Sequence, residues 1–211
     1  MSLERLRSLA GALIGALEEI YPDAVCSLES DEPWKLLCAV RLSAQCTDAR
    51  VNVVTRELFA RFPTLSSLAD GDLAEIERIV RPCGLYQVKA KNLKDTCILL
   101  RDKFGGVVPD TMEELLTLPG VGRKTANLIL GDVYKKPAVV CDTHCIRLAN
   151  RFGLITETDP YKAEMALREL LPPEKSNDFC HRLVLFGRET CTARNPKCAS
   201  CPLSDICEMR L

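Results

Sequence analysis

Apolar residues recur at helical spacing along most of the chain, and short turns containing proline or glycine separate these segments. Apolar positions three and four residues apart mark one face of an α-helix. Thr111 and Glu114 form a capping box before an apolar run, and Pro63 and Pro119 fall where a helix would start or stop. The pattern predicts helices at residues 3–20, 33–45, 47–62, 65–69, 72–80, 86–104, 111–118, 123–134, 143–152, 160–171, 176–190 and 204–208.

The chain offers little that is typical of strands. One short β-branched run, AVVCDTH at residues 138–144, predicts an extended connection that leads into a helix. Apolar residues make up 47% of the chain and aromatic residues 5%, which favours a helical core over a sheet. The fold class is therefore predicted to be all-α.

The N-terminal segment is a predicted amphipathic helix and not a secretion signal, because Glu4, Arg5 and Arg7 interrupt its apolar residues. No run approaches the roughly 18 apolar residues of a membrane span. We expect a soluble intracellular protein.

Charge is unevenly distributed. The net charge of −1 argues against a nucleic-acid partner, since such domains are often strongly basic. Residues 119–154, however, hold six Lys and Arg against two Asp. A charge run is usually only a solvated face, but this basic segment coincides with the motif described next.

The segment LPGVGRKTAN (residues 118–127) predicts a helical hairpin with a glycine turn. Gly120 and Gly122, on either side of Val121, would leave main-chain N–H groups exposed at the start of the second helix. Such groups and the helix dipole form an anion site, and Arg123 lies beside it, so a DNA phosphate is the expected anion. An ordinary helical hairpin is the alternative for PGVG alone.

Lys124 follows on the first turn of that helix, where the dipole disfavours an ammonium. A lysine at such a position spends more time as the neutral amine, which is the nucleophilic form. It could attack the C1′ atom of a deoxyribose, or it could bind phosphate as a point charge. Asp142, eighteen residues later, could stabilise cationic charge on the sugar, and it could also cap the helix that begins at Thr143.

Four of the twelve cysteines cluster near the C-terminus with the spacing C-x6-C-x2-C-x5-C: Cys191, Cys198, Cys201 and Cys207. Four thiolates at this density indicate a metal site. The spacing alone leaves tetrahedral zinc and a [4Fe–4S] cluster both open. Most of the eight scattered cysteines are expected to be small core residues.

LPGVGRKTAN followed by VCDTH resembles the endonuclease III family of bifunctional helix-hairpin-helix DNA glycosylases. The resemblance extends to LSAQCTD (residues 42–48), to GLYQVKA (residues 84–90) and to the cysteine spacing, and it spans roughly residues 34–207. It implies that Lys124 and Asp142 are catalytic. It further implies that Gln45 and Leu85 fill the gap left by an extruded nucleotide, and that the four cysteines hold one [4Fe–4S] cluster. Cys46 and Cys83 depart from the residues expected beside the two wedge segments.

The implied activity is base-excision repair of double-stranded DNA that carries damaged bases or abasic sites. The resemblance implies removal of oxidised pyrimidines such as thymine glycol, by attack of Lys124 at C1′, a Schiff base and β-elimination. His144 and Arg147, which follow Asp142 on the next helix, could contact DNA or order the site, and His144 could instead be a structural histidine. Arg194 and Lys197, in the first loop between the cysteines, are candidate phosphate contacts.

Two alternatives remain. One is an adenine-removing mismatch glycosylase, which generally lacks the hairpin lysine. The other is a catalytically idle protein that binds DNA or senses redox state, against which the presence of both Lys124 and Asp142 argues. We expect a monomer in the bacterial cytoplasm, associated with the nucleoid.

The expected architecture has two lobes. Residues 27–136 would form a helical barrel that contains the helix-hairpin-helix at about 111–134. Residues 1–26 and 137–211 would form the iron–sulfur cluster lobe, with DNA bound between the two and Lys124 facing Asp142.

Overall fold

The computed structural model describes residues 2–208, and within that range every regular element is a helix. The α-helices are α1 (Leu3–Ile20), α2 (Pro33–Leu42), α3 (Asp48–Arg61), α4 (Leu65–Asp70), α5 (Leu73–Val80), α6 (Tyr86–Phe104), α7 (Met112–Leu115), α8 (Arg123–Asp132), α9 (Thr143–Phe152), α10 (Pro160–Leu170) and α11 (Ser176–Glu189). Short 3₁₀ helices occupy Arg81–Cys83, Pro173–Lys175 and Cys198–Ser200. The predicted all-α fold class is confirmed.

One compact unit, Ser27–Tyr134, contains α2 to α8. Helix α6 is its central element and packs against α2, α4 and α5, while α8 packs against α2 and α7. The core consists of aliphatic side chains that are almost wholly removed from water, including Leu37, Leu42, Leu58, Leu68, Ile76, Ile79 and Leu93. Burial of these side chains is the main source of this unit's stability.

The second unit combines Met1–Cys26 with Lys135–Leu211. In its described part, α1 packs against α10 and α11, and α9 packs against α11. Its core is richer in aromatic residues and includes Leu13, Leu17, Leu148, Phe152, Phe179 and Phe186. The junction between the two units falls at Tyr134, two residues before the end of the predicted barrel lobe.

Helices α4 and α7 each begin after a threonine whose side chain caps the helix. Thr64 and Ser67 form a reciprocal capping box at α4. Thr111 Oγ1 accepts from the Glu114 N–H at 3.3 Å, as predicted for the start of α7. Each of these bonds satisfies an N–H that the helix itself leaves without a partner.

Three helix predictions were wrong by three or more residues. The helix predicted at 33–45 ends at Leu42, and residues 43–45 form a turn in which Gln45 has a positive φ. The residues predicted as a helix at 204–208 form turns, in which Ser204 N–H bonds to the Cys201 carbonyl and Cys207 N–H to that of Leu203. Helix α7 ends at Leu115 and not at residue 118, because Thr117 and Leu118 bond to carbonyls only three residues back and Pro119 follows. No helix among residues 2–208 is long and apolar enough to cross a membrane.

Candidate functional site

The hairpin turn runs from Leu116 to Gly122 and joins α7 to α8. Val121 donates its N–H to the Leu118 carbonyl at 3.0 Å, and the side chains of both residues are buried. These apolar anchors hold the turn on the unit, while Gly120 and Gly122 remain exposed on its surface.

The structure requires glycine at position 120 but not at position 122. Gly120 has a φ of 68°, and a Cβ there would lie 2.7 Å from both Arg41 Cζ and Asn92 Nδ2. Both conformation and packing therefore exclude a side chain at Gly120. Gly122 has an ordinary φ of −104°, and a Cβ there would meet nothing within 4 Å. The protein itself gives no reason for glycine at position 122.

This difference predicts opposite outcomes for two alanine variants. Gly120→Ala should lower the free energy of unfolding by about 2 kcal/mol or more, through strain and overpacking. Gly122→Ala should change stability by less than about 1 kcal/mol. It should weaken binding of an abasic duplex about tenfold, which is about 1.4 kcal/mol, because its methyl group would cover the N–H groups at the start of α8. Chemical denaturation and fluorescence anisotropy measure the two quantities. Unchanged DNA affinity of Gly122→Ala would show that the turn does not grip a phosphate.

Lys124 is the second residue of α8 and is exposed to solvent. The N-cap Gly122 has no side chain that could cap the helix, and the first intrahelical bond runs from Ala126 N–H to the Gly122 carbonyl at 2.9 Å. Arg123 is half-buried beside it. The start of α8 therefore presents main-chain donors, an amine and a guanidinium on one exposed end, which is an arrangement suited to an anionic ligand.

Asp142 is the N-cap of α9, and its Oδ1 accepts from the Cys145 N–H at 2.7 Å. The capping role that the sequence predicted as one alternative is thus confirmed. The preceding residues 138–140 are buried and have no regular secondary structure, and they lead into Asp142 at the start of the helix. Because the carboxylate is half-buried and fixed by its bond, its position is well defined.

Gln45 and Leu85 both lie at exposed turns with left-handed backbone, at φ values of 56° and 48°. Leu85 exposes 63% of its surface. Left-handed backbone costs a non-glycine residue about 1–2 kcal/mol. Such strain persists only where the surrounding structure fixes it, and it is commonly found at functional sites.

A residue that the sequence analysis did not select links these two turns. Lys89 on α6 is only 4% exposed, and its Nζ donates to the carbonyls of Leu42, Ala44 and Cys83. Burial lowers the pKa of Lys89. Lys89 lies within the segment GLYQVKA, which the sequence resemblance included. Lysines are mostly exposed in proteins, and the apolar pattern did not indicate that this one is buried.

The two unexpected cysteines lie beside the same turns. Cys83 is 2% exposed, and its thiol is in hydrogen-bonding contact with that of the half-buried Cys46. Burial, and then the neighbouring Cys46, raise the pKa of Cys83 to about 11. Cys83 is therefore a protonated core thiol at neutral pH.

The four C-terminal cysteines line a single pocket, together with apolar residues that include Phe152 and Phe186. Within residues 2–208, no group of three or more His, Cys, Asp or Glu side chains could hold a single metal ion. The donor set fits a [4Fe–4S] cluster, which takes one thiolate on each of its four irons and spreads its ligands around its own volume.

Two arginines of α9 hold the loop that carries these cysteines. Arg151 Nη1 lies 3.3 Å from Cys191 Sγ and donates to the Thr192 carbonyl at 2.8 Å. Arg147 Nη2 donates to the carbonyls of Gly187 and Cys191 at 3.1 and 3.0 Å. It also lies 3.3 Å from His144 Nδ1. These contacts support the ordering role of the His144–Arg147 pair, and a DNA contact by either stays a prediction.

Arg194 and Lys197 lie on the exposed surface of the same loop. Predicted site residues thus form two groups. Lys124, the hairpin and both wedge turns belong to Ser27–Tyr134, whereas Asp142 and the cysteines belong to the other unit. Within each unit, the structure brings together residues that are distant in sequence.

Comparison with known proteins gives the same assignment from independent grounds. Residues 38–173 match the family described as HhH-GPD superfamily base excision DNA repair protein, and residues 191–207 match the iron-sulfur binding domain of endonuclease III. The chain is 46% identical over 192 residues to the endonuclease III of Synechocystis sp. strain PCC 6803. That alignment covers 90% of this chain and 88% of the relative.

Solved structures agree. A non-covalent endonuclease III–DNA complex is similar with a TM-score of 0.90 at 38% identity, covering 99% of this chain and 96% of that chain. A trapped endonuclease III–DNA covalent intermediate, an estranged-adenine complex, is similar with the same TM-score and identity, covering 99% and 97%. These matches favour endonuclease III over the adenine-removing and catalytically idle alternatives.

Proposed function

We propose a specific reaction from the premise that the chain belongs to the HhH-GPD superfamily and, within it, to the endonuclease III family. The chain is a base-excision repair enzyme that acts on DNA, a DNA glycosylase and DNA-(apurinic or apyrimidinic site) lyase with a [4Fe–4S] cluster. Its proposed substrates are oxidised pyrimidines of the thymine glycol type. The observation that carries the proposal is the exposed Lys124 at the uncapped start of α8, directly after the glycine turn.

The first step of the proposed reaction is extrusion of the damaged nucleotide from the duplex. Chemistry at a base requires that the nucleotide leave the stack. Gln45 and Leu85, held at exposed left-handed turns, are suited to enter the space it leaves. The hairpin N–H groups, with Arg123, would hold a phosphate of the distorted strand.

In the second step, the neutral amine of Lys124 attacks C1′ of the extruded nucleotide. The bond between C1′ and the base breaks, and the base leaves with the electron pair and takes up a proton. The sugar ring then opens to give a Schiff base between Nζ and C1′. Loss of a C2′ proton and of the 3′ phosphate by β-elimination cuts the strand on the 3′ side of the lesion.

Asp142 supports this chemistry through its charge. A carboxylate near the sugar stabilises the positive charge that develops there as the base leaves. The bond from Cys145 N–H fixes the carboxylate in advance, so that no reorganisation is needed during the reaction. The approach of Lys124 and Asp142 to one sugar stays a prediction, which the variants in the Discussion test.

The cysteine loop is proposed to be a DNA-binding support. Cys191, Cys198, Cys201 and Cys207 would hold the cluster, which supplies cross-links to a segment too short to build its own core. Arg194 and Lys197, exposed on this loop, would contact phosphates.

A panel of duplexes tests the substrate class. The duplexes carry one thymine glycol, one 8-oxoguanine, one A·G mismatch or one abasic site, and base release and strand cleavage are measured under single-turnover conditions. We expect the thymine glycol duplex to be processed at least about 100-fold faster than the mismatch, because differential binding of the extruded base sets the ratio. Release of adenine from the mismatch at an equal or greater rate would contradict the proposed specificity.

A further inference from the structure

Lys89 is the one buried lysine in the described chain, and the proposed reaction gives it no task. It lies on the first turn of α6, four residues after the exposed Leu85. Removing an ammonium from water costs several kcal/mol unless hydrogen bonds replace its hydration. A leucine or methionine would fill the same space without that cost. The presence of a charged group here therefore calls for a reason beyond packing.

The partners of Lys89 supply that reason. Its Nζ donates to the Leu42 carbonyl at 2.9 Å, the Ala44 carbonyl at 2.7 Å and the Cys83 carbonyl at 2.8 Å. The three N–H donors of one ammonium thus meet three main-chain acceptors. Leu42 is the last residue of α2, Ala44 lies in the turn that carries Gln45, and Cys83 ends the 3₁₀ helix just before Leu85.

The acceptors lie within three residues of a wedge residue along the chain. Ala44 directly precedes Gln45, and Cys83 lies two residues before Leu85. Lys89 also donates its main-chain N–H to the Leu85 carbonyl at 3.0 Å. One residue therefore contacts the turn of Gln45 through its side chain and the turn of Leu85 through both side chain and backbone.

We infer that Lys89 is a positioning residue that fixes Gln45 and Leu85 as a single preorganised wedge. The strained φ values of both residues need surrounding contacts to hold them. A buried ammonium provides such contacts with high selectivity, because movement of either turn would leave a charge or a carbonyl without its partner. This inference rests on the wedge role given to Gln45 and Leu85 in the proposed function.

The chain offers a matched control on the same helix. Lys94, five residues further along α6, also donates from Nζ to a main-chain carbonyl, that of Gly71. Lys89→Met and Lys94→Met each remove one positive charge, together with three lysine-to-carbonyl bonds in the first variant and one in the second. Only the first removes the connection between the two wedge turns.

The experiment uses a duplex with 2-aminopurine opposite a tetrahydrofuran abasic analogue, whose fluorescence reports unstacking of the opposite base. At saturating full-length protein, the parent and Lys94→Met should give the same rise in fluorescence. Lys89→Met should give less than about half of that rise. Its rate of base release, measured on a separate thymine glycol duplex, should fall by about 100-fold, the cost of misplacing a group by about 1 Å. A role in stability alone would lower affinity or Tm without changing the amplitude at saturation.

Two further variants complete the design. Gln45→Ala in the same assay tests the wedge role of Gln45 separately from the positioning role of Lys89. If Gln45→Ala is defective and Lys89→Met matches Lys94→Met, the inference about Lys89 is wrong and the wedge stands. If Gln45→Ala itself behaves like the parent, the wedge function and the inference both fail. Lys89→Gln, which keeps a polar group but removes the charge and has too few N–H donors for the three carbonyls, serves in case the methionine variant does not fold, and full parental amplitude in either folded Lys89 variant overturns the inference.

Discussion

Replacing Lys124 with alanine is expected to abolish base release and strand cleavage while leaving the affinity for an abasic duplex within about threefold of the parent. Loss of a nucleophile typically costs a factor of about 10³ or more in rate. The side chain is exposed on the first turn of α8, so its removal disturbs no core contact. Phosphate binding would persist, because the hairpin N–H groups and Arg123 are unchanged.

Covalent trapping tests whether Lys124 forms the Schiff base. Sodium borohydride reduces a Schiff base to a stable amine, so the parent should become cross-linked to lesion-bearing DNA and Lys124→Ala should not. Lys103→Ala is the control, since it removes an exposed lysine from α6 in the same unit and should trap like the parent. Undiminished trapping by Lys124→Ala, or nicking at the parental rate, would show that another amine is the nucleophile.

The helices were accessible to prediction because their signals are local. Apolar periodicity, capping residues and prolines placed α1, α6 and α9 at the bounds that the structure shows. The prediction failed at residues 204–208, where the cysteine loop makes turns. A segment that is expected to be cross-linked by a cluster needs no helical bonds of its own, so helical spacing of its few apolar residues carried little information.

The site was predictable only in part. Residues whose chemistry follows from type and spacing, such as Lys124 and the four cysteines, stood out in the sequence. Gln45 and Leu85 were selected by resemblance, since nothing in their composition distinguishes an intercalating residue from a surface glutamine or a core leucine. The structure adds their left-handed backbone, which depends on tertiary contacts that the sequence pattern does not contain.

The burial of Lys89 could not be predicted from the sequence pattern. Its carbonyl acceptors are as many as 47 residues away in sequence, and they become partners only when α2 and α6 pack together. A periodicity argument places a lysine on the solvent face by default. Long-range main-chain acceptors reverse that preference, and only coordinates reveal them.

Asp142→Asn is expected to lower the rate of base release by about 100-fold or more, the scale of losing one preorganised charge-stabilising group. The fold should hardly change. Asparagine caps a helix about as well as aspartate, so the bond to Cys145 N–H should survive and stability should change by less than about 0.5 kcal/mol. The substitution therefore separates the two roles of this carboxylate, since it keeps the cap and removes the charge.

Asp142→Ala removes both roles and should lose the same activity together with about 1 kcal/mol of stability. The matched control is Asp159, the N-cap of α10 in the same unit, whose side chain accepts from the Lys162 N–H at 2.9 Å. Asp159→Ala should lose similar stability and keep full activity. Single-turnover base release and thermal unfolding of the parent and the three variants give the comparison. Parental activity in Asp142→Asn would mean that Asp142 serves only as a cap, and the charge that stabilises the departing sugar would then have to come from another group.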